Sequence, residues 1–371
     1  MKLFKKISFS LFVLIYSTHL IANDCLPLDE CCDAAPSFCS LDGLTFKAEG
    51  LYLWAGETDL QFASENHFAQ SQDNNVSATK ISSKYKSPNF SNRLGYRVGL
   101  DYLNPCSCVG LSVTYFHFKT NAHGSVSAPV NASVNGKIGS ESTFVSLLFA
   151  NSIDEQNSFN KCSSNLKLQV NLLDFDFGRT FCYSSCFSFR PFIGVRYADI
   201  SENYKIKSNG VQSGSDRLQD ILTNAKTQLK NGFTGFGIHA GVDSEWSIAC
   251  GFSLYGKAAG SILYGRTHRT NLIDYLLSDF GNGTINGYQQ HVKANQHGPR
   301  TILELGIGIK WNYCICEGQD IGLKLGWEQL LFLNNNRFDN SISGEKGSSF
   351  AFSRNGDLGL QGIVFGADYS F

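Results

Sequence analysis

Two sets of residues in this sequence could do chemistry: twelve cysteines, and charged residues that recur at every second position. The cysteines offer disulfide exchange or metal ligation, because a thiolate serves both as nucleophile and as ligand. Cys25, Cys31, Cys32 and Cys39 crowd one short stretch, and Cys106 with Cys108, Cys182 with Cys186, and Cys314 with Cys316 form close pairs. Cys162 and Cys250 stand apart. Zinc does not suit these spacings, since no histidine lies near enough to complete a tetrahedral set. Cys106–Cys108 and Cys314–Cys316 are also too close to bridge to themselves without strain. The eight histidines are scattered, and His239 has no Asp or Ser at catalytic spacing around it. Gly235, Gly237 and Gly241 imitate part of a nucleotide loop, but they alternate with apolar residues instead of opening a helix. No enzyme activity, metal or cofactor is expected.

The charged series belongs to segments with strict alternation, the mark of a strand with one apolar and one polar face. Arg93 to Leu103 sets Leu94, Tyr96, Val98, Leu100 and Tyr102 against Arg93, Arg97 and Asp101. Leu44 to Trp54 sets Phe46, Ala48, Tyr52 and Trp54 against Lys47 and Glu49. The last residues put Ile363, Phe365, Tyr369 and Phe371 on one face. Other strands are expected over 108–119, 165–181, 187–206, 232–247, 251–266, 299–313, 318–331 and 357–371. With 44–54 and 93–103 these make ten strands. Twelve is the alternative, because Thr143 to Ala150 is apolar enough to be a strand; here it is read as part of a loop.

Short turns near Asn104–Ser107, Cys182–Cys186, Ala249–Gly251 and Cys314–Gly318 alternate with long polar loops at 56–92, 120–164, 207–231, 267–298 and 332–356. That alternation predicts an all-β fold, a transmembrane antiparallel β-barrel with both termini at the short-turn, periplasmic rim. Leu218, Ile221, Leu222, Ala225 and Leu229 stand at helical spacing and predict a short amphipathic helix over 215–230. In 165–181 the apolar residues change parity between Leu172 and Leu173, which predicts a β-bulge.

Composition agrees: 36 Gly, 29 Phe and 15 Tyr against 7 Pro favour strands and tight turns. The mean hydropathy of -0.14, with no long apolar run past the N-terminus, argues against membrane helices but not against a barrel. Residues 1–22 read as a signal peptide, with Lys2, Lys5 and Lys6 before an apolar core from Ile7 to Tyr16. Residues 23–42 form a cysteine-rich periplasmic leader, and 43–371 the barrel. Removing three lysines and no acid takes the formal charge from -1 to -4, which speaks against nucleic acid as a partner.

Within a barrel, the polar parity faces the lumen. It places Lys47, Arg93, Arg97, Lys167, Arg190, Arg196, Lys257, Lys310 and Lys324 there, with Glu49, Asp101, Asp174, Asp176, Asp243, Glu245, Glu304, Glu328 and Asp368. Equal numbers of each sign predict a weakly selective hydrophilic channel. The competing reading is a lumen closed by those same ion pairs, since ten strands lie near the narrow end of the barrel range. Trp54, Tyr102, Tyr115, Trp246, Tyr264, Trp311, Trp327 and Tyr369 face outward near strand ends and predict girdles at the lipid boundary. Tyr255 and Phe192 are rings expected inside.

The same topology sorts the cysteines. Eleven fall in the leader or beside short turns, on the periplasmic side, and only Cys162 lies in an outer loop. An oxidising compartment favours disulfides. Two arrangements stand side by side: links to neighbouring envelope proteins or other copies of the chain, and internal staples between turns and leader.

The segments FKAEGLYLWAGETDLQFA (46–63), LGYRVGLDY (94–102), NLLDFDFGRTF (171–181) with FSFRPFIGVRY (187–197), and GFGIHAGVDSEW (235–246) with CGFSLYGKAAGSILYGR (250–266) resemble the major outer-membrane protein family of Legionella and chlamydia-related bacteria. The strand ending on Phe371 also resembles the closing strand of bacterial outer-membrane barrels, where that signature serves recognition by the barrel-assembly machinery. The resemblance implies location in the outer membrane, among its lipids, and porin-like diffusion of small hydrophilic solutes or ions, with a disulfide-linked structural role beside it. A non-conducting coat protein or a surface adhesin is the alternative.

Overall fold

The computed structural model describes residues 43–73, 76–104, 107–127, 141–147, 161–184, 186–213, 220–249, 251–279, 285–316, 319–343 and 349–371. The expected signal peptide and leader, with Cys25, Cys31, Cys32 and Cys39, lie outside the described residues, as do Cys106 and Cys250. In chain order the strands are β1 (Gly43–Glu57), β2 (Ala63–Asp73), β3 (Val76–Lys86), β4 (Asn89–Phe90) and β5 (Arg93–Asn104). Then come β6 (Val109–Ser127), β7 (Glu141–Leu147), β8 (Lys161–Arg179), β9 (Phe181–Ser184) and β10 (Phe187–Ser213). β11 (Asp220–Ala249), β12 (Phe252–Asp279), β13 (Ile285–Cys316), β14 (Gln319–Ser343) and β15 (Ser349–Ser370) complete the set.

Ten of these close into an antiparallel barrel in the order β1, β5, β6, β8, β10, β11, β12, β13, β14, β15 and back to β1. The closing seam is the expected one: Phe46 pairs with Tyr369, Tyr52 with Ile363, and Gly50 with Phe365. Every barrel strand read from the sequence is present. β4 adds to β6 and β9 to β10 at the two rims. β7, which covers most of the segment read as part of a loop, pairs with β2 in a separate three-stranded sheet, β3-β2-β7.

Three expectations are corrected. Much of the chain read as long loops is strand, because the barrel hairpins run on well past the lipid boundary: β10 pairs with β11 as far as Ser213↔Asp220, and β12 with β13 as far as Ser278↔Ile285. The helix expected over 215–230 is β-strand from Asp220 onward. Ala225, Leu229 and Phe233 are four apart, an even number, so they share a strand face as readily as a helix face; all three are buried. Leu218 lies outside the described residues. The bulge near Leu172 is also absent, since β8 runs in continuous register with both neighbours. Its even residues from Leu166 to Asp176 all point inward, and Leu173, Phe175 and Phe177 face lipid.

The core of the molecule therefore lies inside the barrel. Nine of the ten barrel strands send buried apolar side chains into one layer across the lumen, among them Leu53, Phe118, Val170, Phe233, Phe332 and Leu360. The tenth, β5, offers Gly95, where an added Cβ would lie 3.1 Å from the Phe118 ring, so glycine leaves the ring its space. Outside, Leu303, Leu305, Ile307 and Ile309 on β13 typify the exposed lipid-facing band. The expected girdle aromatics flank that band, and Trp54 stacks on Trp327 with centroids 5.1 Å apart.

Candidate functional site: the barrel lumen

The lumen is organised in storeys. At the periplasmic mouth a cavity of about 380 Å³ is lined by residues from Gly43 and Ser370 inward to Phe116, Leu172 and Leu330. Lys47 pairs with Asp101, which also accepts from Ser112 Oγ at 2.6 Å. Lys310 pairs with Asp368 at 3.3 Å. Ser253 Oγ donates to Glu245 at 2.7 Å, and Arg190 and Asp243 line the same wall.

Above the vestibule lies a dense ionic storey. Arg97 donates to Glu49 Oε2 at 2.7 Å and to both oxygens of Glu328 at 3.0 and 2.7 Å. Lys324 adds a bond to Glu49 at 2.6 Å and sits over the Tyr255 ring. Gly326 makes room for that ring, since a Cβ there would fall 2.1 Å from the Tyr255 hydroxyl. Arg196 forms the second focus. It donates to the two oxygens of Asp174 at 2.5 and 2.6 Å, to Ser261 Oγ at 2.9 Å, and to Glu304. Lys257 meets the other oxygen of Glu304 at 3.1 Å. Because arginine only donates, its 3.2 Å contact to His239 Nε2 makes that nitrogen an acceptor and leaves the proton on Nδ1, 2.9 Å from Asp176.

Asp174, Asp176 and His239 bring ligand atoms within 4.8 Å of one another, a spacing that could hold a metal ion. The donor set does not favour one, however. The Arg196 guanidinium already clamps both oxygens of Asp174 and lies against His239 Nε2, where a cation would have to sit. The arrangement can hold charge across the lumen. It presents no nucleophile with a free base.

Beyond the ionic storey comes the apolar layer, and above it a small buried polar group. Asn335 Nδ2 donates to Glu202 Oε1 and lies 3.5 Å from Glu57 Oε1. Asn231 donates to Glu202 Oε2 at 3.0 Å, and Arg300, stacked 4.5 Å over Phe233, donates to Asn335 Oδ1. This group lies past the outer girdle residue Trp54. Burial first, and then the neighbouring Glu202 carboxylate, push Glu57 well above the usual carboxylate range. Burial likewise raises Glu202. The outermost storey is apolar again: Leu60 and Phe62, from the segment after β1, pack with Leu166, Tyr204 and Leu229. Tyr204 fastens the segment by donating to the Leu60 carbonyl at 2.8 Å.

Fifteen of the seventeen ionic lumen candidates named from β1 through β14 therefore face the lumen or its vestibule, and Asp368 on β15 joins them. Two depart. Lys167 is exposed on the outer wall, because without a bulge its odd position on β8 faces outward. Arg93 keeps the inward parity of Arg97 but is exposed at the outer end of β5. Of the cysteine candidates, Cys108, Cys182 and Cys186 lie at the short-turn rim and Cys314 and Cys316 end β13 there. The apolar layer and the Glu57–Glu202 group have no counterpart among the sequence candidates. The signal of the apolar layer is the parity change at Leu172, which the sequence alone presents as a bulge.

The family model of the Legionella pneumophila major outer membrane protein precursor matches residues 36–371. Among solved structures, the chain is similar to the outer membrane protease OmpT of Escherichia coli at 9% identity and a TM-score of 0.38, covering 89% of this chain and 96% of that one. A Pseudomonas aeruginosa FadL homologue matches at 7% identity and a TM-score of 0.24, covering 90% and 91%. The toluene transporter TodX of P. putida matches at 7% identity and 0.22, covering 91% of each chain. No curated relative matches the sequence.

Proposed function

The chain belongs to the Legionella major outer membrane protein family, and on that premise we propose that it is a structural, surface-displaying barrel of the outer membrane whose lumen is shut at rest. One observation carries this reading: the apolar layer across the lumen, whose members are 0 to 3% exposed. A hydrated solute crossing it would shed water against hydrocarbon and gain no polar partner, a penalty of several kcal/mol per polar group. In this role the barrel is a rigid anchor that carries extended hairpins outside and periplasmic-rim cysteines inside, the latter available for links to neighbouring envelope proteins or to other copies of the chain. The reading assigns no catalytic activity.

The porin-like reading, diffusion of small hydrophilic solutes or ions, keeps one observation in its favour: the charged vestibule of about 380 Å³ leads from the periplasmic mouth to the ionic storey. Passage would then require the apolar layer to part. Planar-bilayer recordings of the refolded chain separate the two. The closed reading expects a silent membrane from low to high salt, with no solute leak from liposomes. Stepwise conductance from the folded barrel would overturn it in favour of the pore.

A further inference from the structure

One wall of the barrel carries a basic comb above the lipid. Register places Tyr115, Leu173, Tyr197, Phe236 and Tyr264 in one outward row across β6, β8, β10, β11 and β12, at the outer edge of the apolar band. Six residues further along β10, the corresponding row reads Lys167, Asn203, Lys230, Thr270 and Lys293. A lysine stands on every second strand, about 10 Å from the next. Lys207 and Lys226 pair directly in a row beyond it. Arg266 and Lys119 fill the rows between the comb and the aromatics. The lysine and arginine side chains of these rows are all exposed, and none is in an ion pair among the described residues.

The acids on this wall are few and already engaged. Asp199 accepts from Asn171 at 3.2 Å and Thr234 at 3.3 Å, and Asp274 accepts from Gln289 at 2.7 Å. On the wall of β14, β15 and β1, the first outward positions past Trp327 and Trp54, among the described side chains, are Gln329, Leu331, Gln361, Gly359 and Gly56, with no base among them.

Height decides what such a comb would meet. At about 3.3 Å per residue and a tilt near 40°, the Lys167 row lies roughly 15 Å beyond the aromatic row, and the Lys207 row roughly 25 Å. A phospholipid headgroup layer is only about 5–8 Å thick. Only the Arg266 row, roughly 5 Å beyond the aromatics, lies within that layer; the lysine rows stand past it, which suits an extended anionic saccharide anchored in the outer leaflet.

We propose that this wall is a docking surface for a phosphorylated, acidic glycolipid of the outer leaflet, held by ammonium groups on its phosphates while its acyl chains lie on the aromatic row. The full mature barrel, purified free of native lipid, is titrated with rough lipopolysaccharide, with the same material after phosphatase treatment, and with phosphatidylglycerol, using native mass spectrometry and fluorescence anisotropy. Rough lipopolysaccharide is expected to bind tightest and to weaken as salt rises. Replacing Lys167, Lys230 and Lys293 by Gln together is expected to weaken it about a hundredfold, since each lysine near an anionic surface contributes about a factor of five. Only heat-modifiable, folded preparations are compared, and the salt titration of the unaltered chain gives a readout independent of folding. Equal binding by the triple variant, salt-independent binding, or equal affinity for dephosphorylated material would each overturn the proposal. Full competition by inorganic phosphate at matched phosphate concentration would also overturn it, by removing the lipid as the source.

Discussion

Arg97 on β5 holds Glu328 on β14 by two hydrogen bonds, 3.0 and 2.7 Å long, although these strands are not neighbours in the barrel wall. The pair braces the lumen from within, and Glu49 on the intervening β1 takes a third bond from the same guanidinium. Ionic pairs of this kind are weak evidence for net stability, because burial offsets much of the attraction, but breaking one side is costly.

Arg97→Met is therefore expected to destabilise the folded barrel by about 3–5 kcal/mol, since it leaves two buried carboxylates facing Lys324 alone. Urea unfolding of the barrel, followed by loss of heat-modifiable mobility, measures this. The double change Arg97→Met with Glu328→Gln should recover a large part of the loss. The single variant should stay non-conducting, because the apolar layer above the pair is intact.

The apolar layer predicts an inversion of the usual barrel pattern. In a water-filled pore, truncating a lumen-facing side chain costs little stability. Here Phe118→Ala and Phe332→Ala should each cost about 3–5 kcal/mol, as buried aromatic truncations do. Phe365→Ala, half exposed on the lipid face, should cost much less, because acyl chains refill the space. Equal losses at the three sites, measured by denaturant unfolding in liposomes, would count against a packed lumen.

How much of this was legible in the sequence follows from where the two faces of each strand meet different solvents. Near the periplasmic half, lipid lies outside and the polar lumen inside, so Arg93–Leu103 alternates cleanly and its register could be read. Further out the solvents exchange places: Lys167 and Gln169 meet water outside, while Leu168 and Val170 meet the packed layer inside. The apolar residues on β8 thus switch parity with no change in the backbone. A single sequence cannot tell this from a bulge, because both move hydrophobicity from odd to even positions. β10 carries the same mark, with Ile193, Val195 and Tyr197 outward and then Ala198, Ile200 and Tyr204 inward. Two strands switching at the same register distinguish a change of surroundings from a bulge. The Glu57–Glu202 group was hidden for another reason: its members come from five strands and meet only after the barrel closes.

That group makes stability fall as pH rises. Glu57 and Glu202 both lie above the ordinary carboxylate range in the folded chain, so the folded state holds more protons than the unfolded one once pH passes the unfolded value near 4.5. Their contribution is complete below that value and is lost as pH climbs through the raised folded values. The groups facing them are Arg300 from β13, Asn231 from β11 and Asn335 from β14. Glu202→Gln should stabilise the barrel by about 1–3 kcal/mol at neutral pH, relieving one poorly compensated buried charge, and gain nothing at low pH. Denaturation midpoints of both chains across the range test this. A gain independent of pH would reject the shared burial as its cause.

The cysteines should divide by accessibility. Cys162 is buried in the outer apolar storey, where burial pushes its thiol up to about 12. Cys182 is exposed on β9 at the periplasmic rim. At neutral pH a thiol raised that far holds about a thousandfold less thiolate than an ordinary one, and it is also shielded from reagent. Maleimide should therefore modify Cys182 in the reduced, folded barrel within minutes and reach Cys162 only on unfolding, as peptide mass mapping would record. The same exposure makes Cys182 the first candidate for the proposed links to other envelope proteins. In isolated envelopes run without reductant, the unaltered chain should then give ladders that reductant collapses, and Cys182→Ser should thin them. A chain that migrates only as a monomer under both conditions would remove the cross-linking role and leave internal staples as the fate of the rim cysteines.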